Sequence, residues 1–268
     1  MYYIIIIILI FFILLMSLEN FEDMGGSGER SGPETPDWRS DSVSQSSNID
    51  IVVSRFNENI EYLNTEPFNQ FNIIVYNKGP YEINYLNNAK ILTLPNVGRE
   101  SHTYLHHIIT NYNNLPDIII FLPGSCLAKN KKGLTYFKIK KVLETKSSVF
   151  GAFKEGINYE FSLEDNINSN KDNLIINTTH ELVLCPERPF GKWFEKNFEN
   201  TSKFKGTSYN GVFAVHKKDI TKFPISYYEN LIKYLNDSEN TECGHYFERS
   251  WPSIFDIDSD NIYDYNSF

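Results

Sequence analysis

The sequence predicts an α/β fold: a single domain with a mostly parallel central sheet flanked by helices, preceded by an N-terminal transmembrane helix. Three observations carry that reading. Short β-branched runs recur, each ending in polar, loop-forming residues; a helical face lies between the last two of four such runs; and an unbroken apolar stretch opens the chain.

The opening stretch, Tyr2 to Met16, reads YYIIIIILIFFILLM without a charge. At about 1.5 Å per residue a helix of this length spans roughly 25 Å, slightly under a hydrocarbon core of about 30 Å. Such a helix suits a thin or locally thinned membrane. A cleaved signal peptide calls for a basic start and small residues before the cut. No Lys or Arg precedes the segment, and Met16-Ser17-Leu18-Glu19 suits a peptidase poorly, so residues 1–18 read as an uncleaved anchor. From 19 to 48 the composition turns to Gly, Ser, Pro, Asp and Glu, too polar to bury a core, and reads as a disordered linker. Residues 49–268 remain for one domain, enough to build a core without disulfides or metals.

Within the domain, Ile49–Val53, Asn72–Tyr76, Lys90–Leu94 and Asp117–Leu122 read as strands, and their continuous apolar character suits burial on both faces of a parallel sheet. From Arg99 to Tyr112, Tyr104, Leu105, Ile108, Ile109 and Tyr112 share one helical face. Val212–Val215 reads as a further strand. Ser226-Tyr227-Tyr228-Glu229 has the form of a capping box opening a helix through Leu235.

With 34 acidic against 25 basic residues, the net charge of −9 argues against binding nucleic acid, which needs clustered cations. The runs Lys129–Lys132 and Lys138–Lys141 are short and read as solvated faces. Cys126, Cys185 and Cys243 follow no metal-binding spacing and allow at most one disulfide and one free thiol. Sequons at Asn177, Asn200 and Asn236 agree with a glycosylated domain that is lumenal or external.

Ligands of open α/β sheets bind at the carboxyl ends of the strands. That places Arg55, Asn57 and Glu58, then Asn77 and Lys78, then Asn96 to His102, then Pro123 to Ser125 around one crevice. The Asn96–His102 segment joins a strand to a helix start. Backbone N–H groups and the helix dipole favour an anion there, and Arg99 adds a bidentate donor, while Glu100 suits the first turn. His102 and His106 stand at i, i+4, but the Glu of an HExxH site is missing, so no metal ligand set is assigned. In Gly244–Trp251, a helix would put His245 and Glu248 on one face. A carboxylate beside an imidazole can act as a general base, with Trp251 as an apolar wall.

The runs VVSRFNENIEYL (52–63), YNKG (76–79), LPNVGRESHTYLHHIITNYNNLPDIIIFLPG (94–124), NGVFAV (210–215) and GHYFERSWPSIF (244–255) together resemble the family known as domain of unknown function 3431. The likeness covers residues 49–256. More distantly, the order of elements resembles glycosyltransferases of the GT-A type, Rossmann-like enzymes with nucleotide contacts after the first strand, an Asp-x-Asp metal motif after a central strand and a late acidic base. That resemblance implies a membrane-anchored transferase moving a sugar from a nucleotide-sugar donor to a glycan acceptor. Arg55, Asn57 and Glu58 would stand at the donor end and Glu248, with His245, at the base. The substrate contacts would be Lys78, Asn96, Arg99, Glu100, His102 and Trp251. Here Pro123-Gly124-Ser125 follows the central strand, with no acid. No cofactor is secured; Mn or Mg held with the donor is the one the resemblance allows. Either Arg99 and Lys78 neutralise the diphosphate instead, or the chain is a non-catalytic binding or surface protein on a degenerate version of the fold. The anchor implies a single-pass protein of endoplasmic reticulum, Golgi or virion membrane.

Overall fold

The computed structural model describes residues 48–154, 158–163, 182–198 and 204–267. The anchor, the linker up to residue 47, and the sequons at Asn177 and Asn200 lie outside them. Among the described residues no helix is long and apolar enough to cross a membrane.

The central sheet contains β1 (Ile49–Arg55), β2 (Asn72–Asn77), β3 (Ala89–Thr93) and β4 (Ile118–Pro123). A three-residue strand, β5 (Phe150–Ala152), comes next, then β6 (Phe213–His216) and β7 (Ile262–Asp264). The order is β3-β2-β1-β4-β6, parallel except for β6, which runs antiparallel to β4. Strands β5 and β7 form a separate parallel pair. Val52 stands opposite Ile74 on one side and Phe121 on the other, so β1 is the centre of the sheet. The chain steps outward from β1 through β2 to β3, then returns to β4 on the other flank. That reversal opens a crevice at the carboxyl ends of β1 and β4.

Strands β1, β2 and β4 are buried almost throughout, as their β-branched runs predict. Strand β3 departs from that expectation: it is an edge strand, and most of its side chains are half or fully exposed. Helix α1 (Arg99–Asn111) packs Tyr104, Leu105 and Ile108 inward, and the Tyr104 ring lies 4.7 Å from that of Phe121.

Helix α2 (Lys132–Thr145) corrects the reading of the second lysine run. Lys140 is exposed, but Lys138 shares the buried face with Thr135, Ile139 and Val142, and is 1% exposed. Helix α3 (Phe190–Phe198) adds Phe190, Trp193, Phe194 and Phe198 to the core, and the single-turn α4 (Lys217–Ile220) follows β6.

Helix α5 (Ile225–Ile232) begins one residue before the expected capping box, because Pro224 takes the cap position and accepts the first helical bond from Tyr227. Ser226 makes no cap bond. A 3-10 turn, Lys233–Leu235, completes the segment, and Asn236 beyond it is exposed.

Helix α6 (Glu242–Ile254) carries the late acidic segment. Its first turn is tied twice to the strand-like segment before α3. A disulfide joins Cys185 to Cys243. The wholly buried carboxylate of Glu242 accepts the N–H groups of Leu163 and Cys185 and pairs with Arg188 at 2.8 Å. Cys126 is the free thiol, buried, and donates to the Tyr62 hydroxyl.

Candidate functional site

Two groups of side chains, taken as two walls, stand at the carboxyl edge of the sheet, where ligands of such folds bind. The first is built from the ends of β1 and β2. The guanidinium of Arg55, 5% exposed, donates to Asn77 Oδ1 at 2.8 Å, to the Tyr81 carbonyl at 2.9 Å and to the Glu58 carbonyl at 3.1 Å. Glu58 folds back to accept the N–H groups of Phe56 and Asn57. Lys78 is buried, and its ammonium bridges the carbonyls of Val97 and Arg99 at 2.5 Å each. Burial lowers its pKa to about 8, against an opposing pull from Glu100. The polar atoms of these residues are engaged in holding the loops at the ends of β1 and β2. Asn96 likewise donates to the Glu239 carboxylate.

The second wall is built from α1 and α6. Helix α1 starts from two consecutive left-handed residues, Gly98 (φ 59°) and Arg99 (φ 51°). A Cβ at Gly98 would stand 2.5 Å from the Leu235 carbonyl, so only glycine fits. The side chains of Arg99 and Glu100, both half-buried, have no hydrogen bond or ion pair with any described residue. The Arg99 guanidinium therefore stands available at a helix start whose first N–H groups lack intrahelical acceptors.

Glu248 and His245 do fall on one face of α6. Glu248 accepts the N–H of Asn210 at 2.8 Å. Burial raises its carboxyl above the usual range, and the Glu100 charge adds to the effect. His245 is pushed down to about 3 by burial and by the charges of Arg99 and Arg249, so it is a neutral imidazole at physiological pH. Arg249 donates to the His245 carbonyl and lies 3.6 Å above the Phe161 ring.

Two predicted contacts lie elsewhere. Trp251 is fully enclosed, 4.9 Å from Phe213 and 5.9 Å from Phe255, so it is core and lines no crevice. His102 is buried and stacked on His106 with ring centroids 6.0 Å apart. Burial, Lys78 and His106 lower it to about 4, and it stays neutral.

Sequence reasoning missed the turn that brings the two carboxylates to one place. Asn210 (φ 76°) and Gly211 (φ 61°) form a second left-handed corner. Glu248 binds the Asn210 N–H, while Glu100 Oε1 lies 3.1 Å from where a Cβ on Gly211 would sit. An Asn-Gly dipeptide is a turn signal and could have been read. Nothing local marks Lys131, whose ammonium reaches Ser125 Oγ at 3.3 Å and whose charge acts on Glu248.

A divalent metal does not fit the end of β4. Pro123-Gly124-Ser125 offers one hydroxyl, already held by a lysine, and the single carboxylate beside it, Glu58, whose Oε2 lies 2.9 Å from where a Cβ on Gly124 would sit, is turned to the N–H groups of Phe56 and Asn57. Among the described residues no group of three or more His, Cys, Asp or Glu is arranged to hold a metal ion.

No curated protein matches the chain. A solved structure similar to it is the 4-diphosphocytidyl-2C-methyl-D-erythritol synthase of Anaerococcus prevotii DSM 20548. The two are 11% identical with a TM-score of 0.37, over 81% of this chain and 88% of that one, a likeness too distant to bear on chemistry. The profile described as "Protein of unknown function (DUF3431)" matches residues 51–266, which take in all of the sheet but the first two residues of β1, together with both walls, and the chain belongs to that family.

Proposed function

We propose that the domain transfers a glycosyl group from a nucleotide-sugar donor to a hydroxyl of a glycan acceptor, held at a membrane by residues 1–18. One observation carries the reading. The Arg99 guanidinium, without a partner among the described residues, stands at a helix start; its Cδ lies 3.7 Å from where a Cβ on Gly244 would sit, one turn of α6 before Glu248, a carboxyl of raised proton affinity. The first suits a diphosphate, the second suits proton abstraction near neutral pH.

In this scheme Glu248 takes the proton of the acceptor hydroxyl as its oxygen bonds to the anomeric carbon. The bond from that carbon to the diphosphate oxygen breaks, and its electron pair leaves on the diphosphate. Arg99 and Lys131 stabilise that charge, an electrostatic contribution of the kind that dominates such steps. Arg55 and Lys78, engaged in holding loops, act only through the geometry they maintain.

The Cys185–Cys243 bond favours an oxidising compartment, and the exposed sequon at Asn236 agrees with a lumenal or external domain. A second reading, a non-catalytic binding protein, is favoured by the absence of an Asp-x-Asp motif after β4, where the sequence runs Pro123-Gly124-Ser125.

The test uses the full chain in detergent with a panel of nucleotide sugars, measuring thermal shift and release of the nucleotide product. One donor should stabilise the wild type and not Arg99→Ala. Glu248→Gln should keep donor binding and lose roughly 10²–10⁴-fold in turnover. Donor binding without turnover in the wild type favours the second reading, and a folded chain that no donor stabilises sinks the first.

A further inference from the structure

The turn that carries the Glu248 contact is held from the far side by Tyr265. The Tyr265 hydroxyl donates to the Tyr209 carbonyl at 3.0 Å and accepts from the Tyr209 N–H at 3.4 Å. Asn210, the next residue, gives its N–H to Glu248, and the Gly211 carbonyl accepts the buried hydroxyl of Tyr104 at 2.8 Å. An asparagine at φ 76° is disfavoured unless its surroundings impose the conformation. Tyr265 and Tyr104 do so from either end of the three-residue turn.

The ring of Tyr265 sits in a socket made for it. A Cβ on Gly151 of β5 would lie 2.5 Å from Tyr265 Cε1, so the glycine leaves the space the ring fills. Phe153 flanks the ring at 5.0 Å. The buried ammonium of Lys138 lies 5.4 Å from its centroid and 3.5 Å from its hydroxyl, while donating to the Val212 carbonyl. Strand β7 delivers Tyr265 to this place by pairing with β5.

We propose that Tyr265 is a positioning residue for Glu248, acting through the Tyr209–Asn210–Gly211 turn. The inference rests on the sugar-transfer reading only for the task given to Glu248; the chain of hydrogen bonds stands without it. The groups facing Glu248 are Glu100 and Tyr104 from α1, Arg249 from α6, Lys131 ahead of α2, the Asn210 N–H and Tyr265 itself, whose neutral phenol adds no charge. Of the contacts that favour the charged carboxylate, the Asn210 N–H is the one that the Tyr265 hydroxyl holds in place. Because that N–H favours the charged carboxylate, loosening the turn should make Glu248 hold its proton more tightly.

The test is a carbon-13 NMR titration of the full chain in detergent, labelled at the Glu carboxyl carbons. The Glu248 signal is assigned by its loss in Glu248→Gln. Tyr265→Phe keeps the ring and removes the hydroxyl, and should move the Glu248 midpoint upward. Gly151→Ala, which crowds the ring out of its socket, should move it the same way. A folded Tyr265→Phe chain whose Glu248 midpoint matches the wild type overturns the proposal, even if its unfolding temperature falls. Absence of donor binding would remove the sugar-transfer reading and leave this result interpretable.

Discussion

On the β1–β2 wall of the crevice the charged groups are occupied within the fold. Arg55 serves three acceptors, Lys78 bridges two carbonyls, and Glu58 takes two backbone N–H groups. On the α1–α6 wall, the side chains of Arg99 and Glu100 make no hydrogen bond or ion pair with the described residues, and Glu248 accepts one N–H. The residue types are the same; their bonding differs. A buried charge with every bond made supports the architecture, and removing its partners leaves an expensive orphan. A charge left without partners contributes little to folding and is free to meet a ligand. The first wall should therefore answer to stability measurements, and the second to binding.

The strongest way to break that contrast is Arg55→Ala. It would take the only described donor from the Glu58 carbonyl and one of two from Asn77 Oδ1 and from the Tyr81 carbonyl, and should cost roughly 3 kcal/mol in denaturant unfolding. A loss below about 0.5 kcal/mol would mean that the first wall is not scaffold.

The pH dependence sharpens it next. Burial holds Lys78 at about 8 and Lys138 at about 7 in the folded chain, below an ordinary 10.5. Between pH 7 and 10 the unfolded chain binds protons on these lysines that the folded chain does not. Unfolding then takes up protons, and stability rises with pH. Cys126, raised to about 11 from 9.0 by burial, works in the opposite direction above pH 9. The unfolding midpoint should climb by a few degrees from pH 7 to 9. Lys138→Met should flatten the climb, and a midpoint that falls over this window would contradict the burial of both amines.

The smallest effect is the most diagnostic. Arg99→Ala should leave unfolding within about 0.5 kcal/mol of wild type, because no described bond is lost.

Much of the sheet was legible because β1, β2 and β4 are buried on both faces, and runs such as Ile118–Ile120 announce that directly. Helix α1 declared itself through the spacing of Tyr104, Leu105 and Ile108. Strands β5 and β7 were not legible: three residues each are too short to show a period, and only their pairing makes them strands. Lys138 was read as solvated because its neighbours are lysines; which face of α2 turns inward is decided by β6 and Tyr265, far along the chain. In the site, His245 and Glu248 could be placed on one face by helical spacing alone. The meeting of Glu248 with Glu100 could not, since it depends on two left-handed corners more than a hundred residues apart. The roles of Arg55 and Lys78 were hidden for a related reason. Sequence locates a cation at a strand end but does not say whether backbone carbonyls have already claimed it.

The bond between Cys185 and Cys243 closes a covalent ring of chain that contains α3, the Asn210–Gly211 turn, β6 and α5. A protease that cuts once anywhere inside that ring does not separate the pieces. The half with β1, β2, Arg99 and Glu100 stays linked to the half with His245 and Glu248, and the two walls of the crevice survive a nick as one molecule until the disulfide is reduced.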